Sequence, residues 1–203
     1  MTREVFPIDW QHIAEAVSFY TKAGYRYLEV PWLVSREAIL KTLPEDHVPI
    51  SCVFGDLVGS AEQSFIQMTV VDEQKLDGKY VAVTPCFRDD RLDQEHQRAF
   101  MKVELIEIHR DIALSRGGKK GLWACSALEQ MINDAKTFFG SIAGTSTLEV
   151  TPIAMDMGFD LELNGVEVGS YGVRTHGAWI WVYGTGYASP RFSVAKSYEG
   201  RNS

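Results

Sequence analysis

The sequence has no long apolar run. No stretch reaches the roughly eighteen consecutive apolar residues that a membrane-spanning helix needs, which excludes a helical span. The opening residues, MTREVFPIDW, contain no apolar signal-peptide region, so the expected compartment is the cytoplasm. Cysteine is scarce. The three present, Cys52, Cys86 and Cys125, are far apart and show no CxxC spacing, which argues against a disulfide framework and a structural zinc site. His12, His47, His109 and His176 have no zinc-ligand spacing either. Positive charge is not in excess. A net charge of −7 argues against a large sequence-independent nucleic-acid footprint, though a local basic patch stays open. There is no GxxxxGK[ST] to cradle phosphates, and Gly184-Thr-Gly186 is too short for a dinucleotide fingerprint. No internal repeat or low-complexity linker divides the chain. What remains is 203 residues, 45% apolar, which fits one domain with a real core spanning residues 1–203.

Within that domain, WQHIAEAVSFYTKA (10–23) places Ile13, Val17 and Tyr20 on one helical face, and Gly24 ends the helix. YRYLEVPWLV reads as a strand. Pro31 near its middle lacks a ladder donor and places the strand at an edge or an interface. Ser35 caps a short helix, SREAILKTL, and Ser60 caps AEQSFIQMTV; residues 44–58 between them read as irregular. KYVAVTPCF and FMKVELIEI alternate as strands. Ser126-Ala-Leu-Glu129 is a capping-box pattern that predicts the start of a long amphipathic helix, with Gly140 closing it. FDLELNGVEV predicts a hairpin around Asn164-Gly165, followed by AWIWVYGTG and ASPRFSVA. Early helices and later hairpins predict an α+β fold with an antiparallel sheet.

The loop between the two alternating runs of TPCFRDDRLDQEHQRAFMKVEL (84–105) is crowded with charge. If those runs pair, Thr84, Cys86 and Arg88 share one face with Phe100, Lys102 and Glu104, while the other face is apolar. A guanidinium there suits phosphate, because its planar fork matches two oxygens. A Phe beside it can stack on a flat ring. Together they suit a nucleotide. The alternative is a solvated hairpin with surface ion pairs.

Three stretches taken in order, IAEAVSFYTKAGYRYLEVPWLV, CFRDDRLDQEHQRAFMKVEL and YGTGYASPRF, resemble motifs 1, 2 and 3 of class II aminoacyl-tRNA synthetases. GSAEQSF is similar to the family's loop for the substrate amino group. FDLELNGVEVGSYGVRTH is similar to the segment before motif 3 in the aspartyl and asparaginyl branch. The likeness spans about residues 10–195, and RDDRLDQEH also resembles ammonia-dependent asparagine synthetases. The resemblance implies an antiparallel sheet of about six strands flanked by helices, and a homodimer built on the motif 1 helix and strand.

It also implies ATP and Mg²⁺ as cofactors and a small amino acid as substrate. Arg88 would bind the α-phosphate and stabilise charge developing there. Phe100 would stack on adenine, with Asp90 and His96 on the same hairpin and His96 at the γ-phosphate. Arg191 would close over the nucleotide. Glu167 would hold Mg²⁺, with Asp160 as a second candidate. Ser60 and Glu62 would take the substrate ammonium, and Arg174 would read an acidic or amide side chain.

Several residues depart from the family pattern. Asp90 stands where Glu is usual, Ala99 where the aspartyl branch has Glu, and Phe65 where it has an aspartate-binding Lys. Ser170 and Tyr171 replace two glycines before Arg174, which narrows the pocket. No anticodon-binding domain is visible, so tRNA is one acceptor among several: a protein, a small molecule, or ammonia in an amide-forming reaction. A non-catalytic paralogue that binds amino acid or nucleotide is the reading from another class.

Overall fold

The computed structural model describes residues 7–43, 47–89, 97–110, 119–144, 147–153 and 157–198. Helix α1 (Trp10–Lys22) opens it, with Asp9 as N-cap accepting from the His12 N–H at 3.0 Å. Gly24, at φ +97°, supplies the left-handed turn that ends it. Strands β1 (Arg26–Tyr27) and β2 (Leu33–Val34) follow, then α2 (Arg36–Leu40), β3 (Ser51–Cys52), β4 (Gly55–Leu57) and α3 (Ala61–Ile66), which runs on into a π-helical turn at Gln67–Val71. The long strands β5 (Gly78–Phe87) and β6 (Ala99–Arg110) come next. The helix α4 (Lys119–Ala143), strands β7 (Leu148–Pro152), β8 (Phe159–Leu163), β9 (Val166–His176) and β10 (Trp179–Ser189), and helix α5 (Arg191–Ser197) complete it.

Seven strands form one sheet in the order β1-β5-β6-β10-β9-β8-β7. Every neighbouring pair is antiparallel except β1 with β5. The fold is the expected α+β class, with one more strand than the six or so predicted and a parallel pair at one edge. The β5–β6 register sets Thr84 opposite Lys102 and Cys86 opposite Phe100, so the alternation read from sequence holds. Asn164 (φ 54°) and Gly165 (φ 77°) form the two-residue turn between β8 and β9, as expected for a primed hairpin turn.

Each face of the sheet carries its own core. On one side, Val81, Val103, Leu105, Leu161 and Tyr171 pack beneath α1, α4 and α5 through Tyr20, Phe138, Phe139 and Phe192. On the other, Ala82, Ile106, Ile108 and Trp181 pack beneath α2 and α3 through Ile39, Phe65 and Ile66. The second side is only partly covered, because α2 and α3 are short. Gly184 is required in β10: the Tyr171 ring crosses over it on the way to donating to the Thr185 carbonyl at 2.7 Å, and any side chain there would collide with that ring.

Three expectations are corrected. The single strand across Pro31 is two short strands in different sheets. Leu28 N–H still reaches Val81 O at 3.0 Å, but the chain then leaves for the small β2-β4-β3 sheet. Residues 51–57, read as irregular, hold the β3–β4 hairpin of that sheet. Ser126–Glu129 lies within α4, seven residues beyond Lys119, and the helix passes Gly140 to end at Gly144 (φ +79°). The RFSVAKS segment is helical, its Phe192, Val194 and Ala195 spaced to bury one face. Among the described residues no helix is long and apolar enough to cross a membrane.

Candidate active site

A cleft of about 350 Å³ opens on the partly covered face of the sheet. Seven residues predicted from sequence line it: Ser60 and Glu62 at the start of α3, Arg88 just beyond β5, Phe100 on β6, Glu167 and Arg174 on β9, and Arg191 at the start of α5. Asp160 sits one strand further out, on β8 opposite Ser170. Asp90 and His96 lie outside the described residues.

One end of the cleft is built around Arg88. Its guanidinium carbon lies 5.3 Å from the Phe100 ring centroid, a cation–π distance. Its Nε donates to Gly59 O at 3.1 Å, and its backbone N–H donates to Arg98 O at 3.0 Å, which fixes the hairpin base. Gly59 is close-set: a Cβ there would stand 3.2 Å from Phe87 O. In the same cleft, Arg191 Nη1 meets Glu167 Oε2 at 2.9 Å. The Glu167 carboxylate is 41% exposed and the Arg191 side chain 19%, so the pair faces the opening.

The other end is built around Glu62. This carboxylate is buried, and both oxygens are engaged: Arg174 Nη1 donates to Oε2 at 2.6 Å and Trp181 Nε1 to Oε1 at 2.6 Å. Burial pushes the Glu62 carboxyl up, against the lowering pull of Arg174 and of the Trp181 hydrogen bond. Arg174 also lies over the Tyr183 ring, 4.5 Å from its centroid. Glu62 and Arg174, expected to meet different parts of a substrate, therefore meet each other. Trp181 is a core residue that reaches Glu62 from beneath the cleft lining.

Sequence reasoning did not single out Glu104. It is buried, and it accepts from Ser60 Oγ at 2.7 Å, from the Ala61 N–H, and from Lys102 Nζ at 3.0 Å. It thereby ties the start of α3 to the middle of the sheet. The available signal was its place on the Phe100–Lys102 face of a strand. Ser60, besides capping α3 through the Glu62 N–H at 3.1 Å, is held by this carboxylate.

The carboxylates also bear on a divalent cation. Glu167 faces the cleft. Burial raises the Asp160 carboxyl, and Glu167 and Glu162 add to the rise. No group of three His, Cys, Asp or Glu residues able to hold a metal exists among the described residues. A cage made wholly of protein is therefore not formed by them. One or two carboxylates with phosphate oxygens completing the shell is how Mg²⁺ is usually held, and Glu167 with Asp160 fits that donor set.

Comparison with known proteins gives concordant results. The model of the tRNA synthetase class II core domain (F) matches residues 58–200. The serine–tRNA ligase of Fervidobacterium nodosum is 36% identical over 104 residues, covering 43% of this chain and 24% of that protein. Among solved structures, the cytoplasmic serine–tRNA ligase of Naegleria fowleri in complex with AMP superposes with a TM-score of 0.72 at 18% identity, covering 94% of this chain and 48% of that one. The seryl-tRNA synthetase of Pyrococcus horikoshii complexed with ATP gives 0.69 at 18%, covering 90% and 48%. The chain thus spans less than half the length of each of these relatives. The three carry seryl names, whereas the motif likeness read from sequence pointed to the aspartyl and asparaginyl branch.

Proposed function

The chain belongs to the class II tRNA synthetase core-domain family, and on that premise we propose that its cleft joins ATP to an amino acid as an aminoacyl-adenylate, releasing pyrophosphate. The observation that carries this reading is that two pairs, Arg88 with Phe100 and Arg191 with Glu167, line one cleft. The AMP and ATP bound in the two solved relatives support it. In the reaction, a carboxylate oxygen of the amino acid attacks the α-phosphorus. The bond to the bridging oxygen breaks, and pyrophosphate leaves with that electron pair. No protein nucleophile is needed: holding the two reactants in line and stabilising the charge does the catalysis.

Arg88 would place its planar fork on the α-phosphate, and adenine would stack on Phe100 in exchange for the guanidinium now near that ring. Arg191 would cover the nucleotide from the opposite wall. Asp90 and His96 would complete the phosphate end. Mg²⁺, when bound, supplies charge neutralisation between phosphate oxygens; Glu167 would hold it, and Asp160 is the second candidate. The substrate ammonium would lie among Ser60, Glu62 and Glu104. The test is amino-acid-dependent ATP–pyrophosphate exchange, run with each amino acid separately. Exchange with one or a few amino acids is expected; none with any of them, in folded protein with ATP bound, would dismiss adenylation.

We also read the protein as a homodimer through α1 and the segment that follows it. Trp10, Trp32 and Tyr27 are 60%, 52% and 44% exposed there, apolar surface that a second copy would cover. Light scattering should return twice the chain mass, and a monomer would dismiss this reading.

A further inference from the structure

We propose that Gln63 is a positioning residue for Arg88, acting through the backbone of Gly59; this rests on the adenylation reading above. The three residues line the same cleft. Gln63 is buried, at 4% exposure. Its Oε1 accepts from the Gly59 N–H at 2.8 Å, and the Gly59 carbonyl accepts from Arg88 Nε at 3.1 Å. An arginine that stabilises charge on a phosphate needs a fixed guanidinium, and this carbonyl fixes it. Among the described residues the bond uses Nε alone, so both terminal nitrogens stay available for phosphate oxygens.

The anchor needs a holder of its own. A Cβ at position 59 would also stand 3.6 Å from Arg88 Cγ, and the site takes glycine, the residue with the widest backbone freedom. Its N–H and C=O are therefore set by partners, the first by Gln63 and the second by Arg88 itself. The rest of the turn is tied down separately. Val58 N–H donates to Trp32 O at 3.1 Å, and Val58 O accepts from the Phe87 N–H at 2.8 Å. Ser60 and Ala61 are held by Glu104, and Glu62 by Arg174 and Trp181. Gln63 thus controls the link that carries Arg88, and not the residues placed at the substrate ammonium. In a capping box, a glutamine at the third position of a helix reaches back to the N–H of the N-cap. Ser60 is the N-cap of α3, and Gln63 reaches one residue further, to Gly59. A cap alone would stabilise α3; this one also sets the anchor of Arg88. The two roles predict different kinetics.

Gln63→Met keeps the length of the side chain and removes the accepting oxygen. Charge on the α-phosphate grows as the carboxylate attacks, so a misplaced Arg88 shows in the rate more than in binding. In ATP–pyrophosphate exchange, kcat should fall about thirtyfold, while KM for ATP and for the amino acid stays within about threefold of the parent. In the Arg88→Ala background the same substitution should lower the rate by less than about threefold, because the group it positions is gone. Single-turnover adenylate formation measures these slower rates. A role confined to capping α3 lowers the rate by the same factor in both backgrounds, and that result overturns the proposal. So does parental kcat in folded Gln63→Met. Gln63→Asn is the second variant. It keeps an amide in the first turn of α3 but is one methylene too short for the Gly59 N–H, and it should show the same fall and the same dependence on Arg88; parental kcat there overturns the proposal. Absence of exchange in the parent chain with every amino acid removes the adenylation reading, and this proposal with it.

Discussion

Replacing Arg88 by alanine is expected to lower ATP–pyrophosphate exchange about 10³-fold while the fold survives. The large factor follows from what the residue does in the proposed reaction. Negative charge builds on the α-phosphate oxygens as the carboxylate attacks, and a preorganised cation in a partly water-excluded cleft lowers that barrier. Loss of one such group costs about 10²–10³-fold, and arginines on transferring phosphoryl groups reach 10³–10⁵-fold. The structural cost is small by comparison. Among the described residues Arg88 gives the fold one side-chain hydrogen bond, Nε to Gly59 O, and the loss of one such bond is about 1 kcal/mol. Arg88→Lys should fall between, since a point charge replaces the planar fork. Circular dichroism and a denaturant melt would establish that the variant is folded. Exchange at the unmutated rate in that protein would remove Arg88 from the chemistry.

Arg174→Ala should destabilise the fold by about 3 kcal/mol near neutral pH, because removing one partner strands a buried charge. Glu62 would keep only the Trp181 hydrogen bond. The pH dependence distinguishes this from simple loss of packing. Burial already holds the folded-state Glu62 carboxyl above its ordinary value of 4.5, with Arg174 pulling it back down. A raised acid binds more protons in the folded than in the unfolded chain between its two pKa values. Across that window stability falls as pH rises. Without Arg174 the folded value climbs further, so the window extends upward toward neutrality. The variant should therefore lose more stability than the parent between pH 5 and pH 8. Replacing both residues, as Glu62→Gln with Arg174→Met, should recover most of the loss, since no buried charge remains. Denaturant midpoints across pH measure all three. A variant whose deficit is the same at every pH would mean that Arg174 acts through its contact with Tyr183 alone.

Local chemistry made much of the architecture legible. Ser35 and Ser60 act as N-caps, accepting from the N–H groups of Ala38 and Glu62. The alternation in β5 and β6 predicted which side chains share a face, because side-chain direction in a strand depends only on position parity. Where the reading failed, distant packing outweighed local pattern. Ser126–Glu129 has the composition of a capping box, yet Ala124, Ala127, Leu128 and Met131 are buried in a continuous helical stripe that carries the helix straight through it. Pro31 was read as lying inside a strand at an edge or an interface, but it lies between two short strands. That its segment divides between two sheets depended on β4, which lies between β2 and β3 in the small sheet although both precede it in sequence.

The candidate site divides in the same way. By itself the sequence named the candidates: Arg88 and Phe100 from the alternation of their strands, and Glu167 and Arg191 from the resemblance to class II synthetases. Only the tertiary structure decided how charges far apart in the chain are matched. Glu62 and Arg174 are 112 positions apart, and Ser60 and Glu104 are 44 apart. Each pair is brought together by the docking of α3 on the sheet and by the register of β6, β9 and β10. The electrostatic energy of a carboxylate depends steeply on its distance from a cation and on its burial. The sequence carries neither quantity, so it could propose Arg174 as a reader of substrate but could not reveal that its charge is already matched by Glu62.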